Sequence, residues 1–306
     1  MEHFFTRRAR SSDGKTFGTK PGLTTEYVRV SQIGHSGSAA AVVSKQKWAQ
    51  EVLGSSQNGH VLVFVHGFNV KQNFFVKRLS KIRRGCQLAH FKGAVVGFDW
   101  PANGNVFHYY DDRRDMKKVS RHLVTDGIMT LLRARPTAKI HILAHSMGAY
   151  LTGLSLAAAT GTQTERTLAR QIGQVMFVGA DNDQVWMGPG DWCAESVRRC
   201  SRRLTHYHSI HDQVLDISGK TFNIGTKRSG QHGLPHPATT IVRDVNCARR
   251  YQARYPGTPE TTTTHNWYFD DPRFFADVVA TMHGGGTAGM ATRLPLADGH
   301  QELRPT

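Results

Sequence analysis

The sequence predicts an α/β protein with a mainly parallel central sheet and helices on both faces. Two observations carry this: short β-branched runs recur along the chain, and amphipathic stretches of helical period lie between them. A third is local. One run, Ile140-His-Ile-Leu-Ala-His-Ser-Met-Gly-Ala149, leads through a small-residue turn straight into a helical stretch. Strands are expected at 61–65, 94–98, 140–143, 174–178, 204–210 and 239–245. Between them, residues 70–84 place Phe74, Phe75, Leu79 and Ile82 at helical spacing, leave Lys71, Lys77, Lys81 and Arg83 to solvent, and have Asn69 as N-cap. Residues 114–132 repeat the pattern through Met116, Val119, Leu123, Ile128 and Leu132 until Pro136 stops it. Helix 150–159 follows the small-residue turn. The last helix opens at Asp271-Pro272, where proline needs no amide donor, and runs through Phe274, Phe275, Val278, Val279 and Met282.

Composition bounds the function. The chain has 306 residues, 39% of them hydrophobic, with 30 glycines, which is the make-up of a globular domain and excludes a disordered protein. Residues 1–25 are polar and basic, and residues 284–306 begin with three glycines and lack apolar period. Both ends are expected to be mobile, flanking a single domain over 26–283. The arginine pair Arg7-Arg8 is followed by a polar stretch where an export signal needs an apolar one, and the run 61–65 is too short to cross a bilayer. A cytoplasmic protein is the expectation. Cys86, Cys193, Cys200 and Cys247 show no C-x-x-C spacing, so no zinc or redox motif is read. Cys193 and Cys200 can pair only across a turn, and reduced buried thiols fit a cytoplasm.

The chemistry centres on Ser146. Where a strand turns sharply into a helix, residues two before and two after the turn residue face each other, and Ala144 and Gly148 are small enough for this. Such a turn lifts a serine above the sheet edge and aims a helix start at it, so amides and the helix dipole can hold an oxyanion. The plainer reading is that Ser146 only caps the helix. A second strand, 61–65, ends in His66-Gly67-Phe68-Asn69, where glycine lets the backbone approach a substrate.

His66-Gly67-Phe68-Asn69, Phe98-Asp-Trp-Pro101 and Ala144-His-Ser-Met-Gly148, in that order, resemble the α/β-hydrolase superfamily. They are similar, more narrowly, to a bacterial family of esterase/lipase-like hydrolases of uncharacterised physiological function. The resemblance covers about residues 58–283 and departs from many relatives in having Ala144 for glycine. It implies an α/β-hydrolase fold, a nucleophile at Ser146, and an oxyanion hole from the amides of Phe68 and Met147. It also implies chain order nucleophile, acid, histidine. Asp212, in Ser209-Ile-His-Asp212 after strand 204–210, is similar to the family's acid segment, and Asp181 after strand 174–178 is the alternative acid. His265, in His265-Asn-Trp-Tyr-Phe269 before the last helix, resembles the family's His-x-x-Tyr-Phe pattern and is the implied base. His283 reads as a helix C-terminal residue.

Other residues are weighed against this. His206 and His208 share a strand face and could ligate one ion in a metal-dependent hydrolase, but they fall where the serine-hydrolase reading expects a strand. No metal and no cofactor is therefore expected. His66, Gly67, Trp100 and Trp186 are candidate substrate contacts, and Asp111 and Asp112 favour the positive end of a helix. The expected activity is cleavage of carboxylic esters through an acyl-enzyme. Thioesterase or amidase chemistry would use the same residues, and a binding module that has lost catalysis is the remaining alternative. Lys and Arg number 39 against 23 Asp and Glu, a net charge of +16. Clusters at 81–84, 113–118, 198–203 and 249–250 accompany no nucleic-acid motif. They fit a solvated basic surface that can attract a small anionic ester or touch a membrane surface.

Overall fold

A computed structural model describes residues 1–12, 16–34, 37–235, 241–257, 260–284 and 290–306. Its strands are β1 (Glu2–Arg10), β2 (Phe17–Gly34), β3 (Gly37–Val43), β4 (His60–Val65), β5 (Ala94–Asp99), β6 (Lys139–His145), β7 (Ile172–Val178), β8 (Leu204–His208), β9 (Val242–Asn246), β10 (Arg293–Pro295) and β11 (Gln301–Leu303). The helices are α1 (Lys45–Gly54), α2 (Gln72–Leu88), α3 (Tyr109–Val119), α4 (Met129–Ala134), α5 (Met147–Ala159), α6 (Gln163–Gln171), α7 (Trp192–Cys200), α8 (Gln213–Ile217), α9 (Ser229–His232), α10 (Ala248–Arg254), α11 (Thr261–Asn266) and α12 (Pro272–Met282). The strands form one sheet in the order β10-β11-β9-β8-β7-β6-β4-β5-β1-β2-β3. Every pairing from β1 to β11 across the middle is parallel, and only β1–β2, β2–β3 and β10–β11 are antiparallel.

The two faces follow from alternation along the strands. Val61, Val63 and Val65 of β4 point to one core with Ile140 and Ile142, covered by Trp48 of α1 and Leu151 of α5. Leu62 and Phe64 point to the other, covered by Phe75 and Leu79 of α2 and Phe274 and Val278 of α12. A strand buried on both sides reads as a continuous apolar run, and each such side chain contributes about 1.5–3 kcal/mol on burial. The predicted strands are all present, with β8 ending two residues earlier. Thr239 and Thr240, at the expected start of the ninth strand, lie outside the described residues. Asp271 caps α12 by accepting from the Phe274 amide, with Pro272 in its first turn as expected. Helix α2 is capped at Lys71 rather than Asn69, whose φ of 60° takes it out of a helix start.

The ends differ from expectation. Residues 2–10 are not a mobile segment but β1, buried inside the sheet between β5 and β2, and residues 293–295 and 301–303 form strands at the opposite edge. Phe4 and Phe5 fill one core each. Several of the charged residues that made these ends look solvated find partners: Glu2 with Arg83, His3 with Glu51, Arg8 with Asp99 and Arg293 with Asp277. Residues 285–289 of the expected tail lie outside the described ones. The expected helix 114–132 is also interrupted, by a wide π-type turn at Leu123–Ile128. Gly127 there rests on the Phe5 ring, 2.1 Å from where a Cβ would sit, so the widened turn accommodates the strand that the sequence left out of the sheet. All four cysteines are free and buried, Cys193 and Cys200 included.

Candidate active site

After β1–β3 the chain lays down β4 at the centre of the sheet, places β5 on one side of it and returns to place β6 on the other. The carboxyl ends of β4 and β6 therefore meet at a switch point, where open α/β sheets form their crevice. His66-Gly67 leaves β4 there and Ser146 leaves β6. Ser146 has φ 55° and ψ −128°, a strained conformation for a residue with a Cβ. Neighbours hold it: its amide donates to Val178 O (3.0 Å), and its carbonyl accepts from Asp181 (3.2 Å) and Ala149 (3.0 Å). Gly148 must be small, but the group it faces is the end of β4 rather than Ala144. A Cβ on Gly148 would lie 2.4 Å from His66 O and 2.6 Å from Val65 O, and one on Gly67 would lie 2.7 Å from Ser146 Cβ. Gly148→Ala is expected to displace the β4 backbone and lower the urea midpoint, whereas an unchanged midpoint would show that the elbow can relax.

The Phe68 and Met147 amides meet no protein acceptor among the described residues, so both remain available donors beside the Ser146 turn. Ser146 retains 7% of its surface and its hydroxyl makes no protein hydrogen bond among the described residues.

Asp212 and His265 come together. His265 Nδ1 donates to Asp212 Oδ2 at 2.6 Å, and Asp212 Oδ1 accepts from Leu215 N at 3.0 Å, capping α8. His265 sits in the short helix α11 rather than a loop, and Gln213 N donates to Thr264 Oγ1 (3.0 Å), fixing α11 against α8. Two positioning residues were not foreseen. Gly179, at φ 50°, leaves room where a Cβ would meet Asp212 Oδ2 and the His265 ring at 3.3 Å. Its neighbour Val178 holds the Ser146 amide, so this glycine stands between serine and histidine. His145 packs its ring 4.4 Å from that of His265 and donates from Nε2 to His265 O (3.1 Å). Burial and the adjacent His265 hold the His145 imidazole neutral, well below its usual range. Its position immediately before Ser146 was the only available signal.

Asp181 is engaged elsewhere. Its carboxylate accepts from Tyr109 OH, Ser218 Oγ and Arg228 Nε, each at 2.8 Å, and it makes no hydrogen bond or ion pair with a histidine among the described residues. His66 and Trp100, expected as substrate contacts, are instead fully buried and stacked at 4.9 Å. His66 Nδ1 donates to Gly67 O, its Nε2 accepts from Trp100 N, and Trp100 Nε1 returns a bond to His66 O (2.7 Å). They brace the glycine loop, because a buried ring pair with saturated polar atoms has nothing left for a ligand. Trp186 is partly exposed and packs on Tyr150 (5.0 Å) and Trp192 (5.5 Å).

The histidines considered for a metal are also committed. His206 Nδ1 donates to Asp244 Oδ1 (2.7 Å) and its Nε2 accepts from Ser229 Oγ (3.2 Å). Burial alone would raise the Asp244 pKa, but His208 and His206 hold it down at about 2. Ser229, His206 and Asp244 thus repeat the order of a nucleophile relay. Ser229 is wholly inaccessible, however, so the group ties β8, β9 and α9 together.

A family model matches residues 41–236, more than half of the chain. The chain belongs to the family described as alpha/beta hydrolase of unknown function (DUF900). It is 41% identical over 58 residues to the uncharacterized protein alr1448 of Nostoc sp., a match covering 19% of this chain and 15% of that protein. Among solved structures, a predicted CIB-like hydrolase from Thermoplasma acidophilum is 13% identical, with 85% of this chain and 98% of that one covered at a TM-score of 0.42. An esterase from Pyrobaculum calidifontis is 12% identical, covering 87% and 86% at a TM-score of 0.39. Among the described residues no helix is long and apolar enough to cross a membrane.

Proposed function

We propose that the protein is a serine hydrolase that cleaves carboxylic esters through an acyl-enzyme. The observation that carries this is the strained Ser146 at the β6–α5 turn, flanked by two free amides, with the His265–Asp212 pair packed against Gly179, the residue after the strand that holds the Ser146 amide. Strain in a non-glycine residue persists only where surroundings impose it, and here it presents a hydroxyl.

In the proposed cycle Ser146 Oγ attacks the ester carbonyl as His265 Nε2 takes its proton. The Phe68 and Met147 amides hold the tetrahedral oxyanion, and His265 returns the proton to the leaving alkoxide. A water deprotonated by His265 then releases the acid and regenerates Ser146. Asp212 keeps the proton on Nδ1, so that Nε2 is free to act as base, and stabilises the imidazolium. The same residues would serve thioesters or amides, and the leaving group is what a substrate panel resolves.

Asp212→Asn is expected to lower kcat on p-nitrophenyl butyrate by about ten-thousand-fold at neutral pH, because the amide can force the wrong imidazole tautomer. Asp181→Asn is expected to act mainly on stability, by leaving the buried Arg228 guanidinium underpaired. A larger kcat loss from Asp181→Asn than from Asp212→Asn would reverse the assignment of the acid.

A further inference from the structure

Helix α3 carries a cation that the proposed chemistry does not use. Arg113 lies one helical turn after Tyr109 on α3, on the same face. Tyr109 belongs to the site: its ring packs edge-on against Phe68 at 5.2 Å, and its hydroxyl bonds Asp181, whose amide donates to the Ser146 carbonyl. Arg113 therefore stands one helical turn along α3 from a residue packed at the site. Its guanidinium lies over the rings of Tyr150 (5.0 Å) and Trp186 (5.9 Å). Tyr150 itself is four residues past Ser146 on α5, a rise of about 6 Å.

Arg113 forms no ion pair with a carboxylate among the described residues. Its Nη1 donates to Asn223 Oδ1 at 2.7 Å, which fixes the head without neutralising it. The nearby Asp181 is already held by Arg228, Tyr109 and Ser218. Lys117, one further turn along α3, adds a second cation 5.9 Å from the Tyr150 ring, also without a carboxylate partner. A half-buried guanidinium held between aromatic faces and by a side-chain amide is pre-organised to recognise an anion, since little side-chain freedom remains to be lost.

We propose that Arg113, backed by Lys117, is an anion-recognition subsite, and that the preferred substrate is an ester carrying a second, anionic group about one helical turn from the scissile carbonyl. This rests on the ester-hydrolase reading and specifies its substrate class. It also gives part of the +16 charge a place at the site.

The test has a kinetic and a binding arm. In the kinetic arm, the p-nitrophenyl monoesters of succinate, glutarate and adipate are compared with neutral acyl esters of matched length. At least one dicarboxylate monoester is expected to exceed its neutral match in kcat/KM by tenfold or more, with the excess shrinking as salt rises. Arg113→Gln should reduce the anionic-to-neutral ratio at least tenfold, and Arg113→Lys, which keeps the charge but not the stacked planar head, should restore only part of it. In the binding arm, Ser146→Ala protein is titrated calorimetrically with monomethyl glutarate and with methyl valerate, and only the first should bind more weakly after Arg113→Gln is added. A ratio near one in wild type, together with equal binding of the two probes, would overturn the subsite. Preferential, Arg113-dependent binding of monomethyl glutarate without turnover of any ester would instead uphold the subsite and overturn the ester-hydrolase reading.

Discussion

Ser146→Ala is expected to lower kcat on p-nitrophenyl butyrate by four to six orders of magnitude, roughly the cost of removing a nucleophile from an intact relay. The fold should survive. Alanine removes only the hydroxyl, which has no protein partner among the described residues, and keeps the Cβ, so the unfolding free energy is expected to stay within about 0.5 kcal/mol of wild type. KM should change far less than kcat, since the Phe68 and Met147 amides proposed to bind the ester carbonyl remain in place. Residual rates above the uncatalysed reaction are expected from those donors alone. A Ser146→Ala protein that retained a tenth of wild-type kcat would show that the hydroxyl is not the nucleophile. Ser229→Ala is the matched control, because its serine–histidine–aspartate group is closed to substrate.

The second large effect concerns stability. Arg8 of β1 is almost wholly buried and bonds Asp99 Oδ1 (2.7 Å), Ala102 O (2.9 Å) and Val70 O (2.7 Å). One guanidinium thus joins the N-terminal strand to the loops after β4 and β5. Arg8→Met leaves the Asp99 carboxylate buried without its main counter-charge, an arrangement that costs about 3–5 kcal/mol. The cost is expected as a lower urea midpoint. Because Val70 O closes the loop that presents Phe68, the variant should also lose turnover beyond what unfolding explains. The double variant Arg8→Met/Asp99→Asn should be less destabilised than the sum of its parts, since the two residues share one interaction. A change below 0.5 kcal/mol in the single variant would mean that water replaces the pair and that β1 is dispensable.

These two sites mark what sequence could and could not reveal. The Ser146 elbow was legible because its constraint is local: a strand, a turn and two small residues within five positions leave little choice of geometry. The His66–Asn69 loop was legible for the same reason, although its histidine proved to be a brace rather than a contact. His265 and Asp212 came from family resemblance, and nothing in their spacing of 53 residues announces the 2.6 Å bond between them. The N-terminal strand was missed because charge density was read as solvation. Arg8, Glu2 and His3 are neutralised by residues 48 to 91 positions away, a pairing that composition does not encode. The break in the helix after Val119 was missed with it, since Gly127 yields there to Phe5 from that same strand. Gly179 carries meaning only once the three segments around it are assembled.

The most direct test is labelling with a fluorophosphonate, which captures a serine only when its hydroxyl is activated and an oxyanion site faces it. The expected result is one adduct per chain, located by peptide mass spectrometry on Ser146, absent in Ser146→Ala, strongly slowed in Asp212→Asn and retained in Ser229→Ala. A folded wild-type protein that takes no adduct, or takes it equally after Ser146→Ala, would contradict the proposed serine hydrolase.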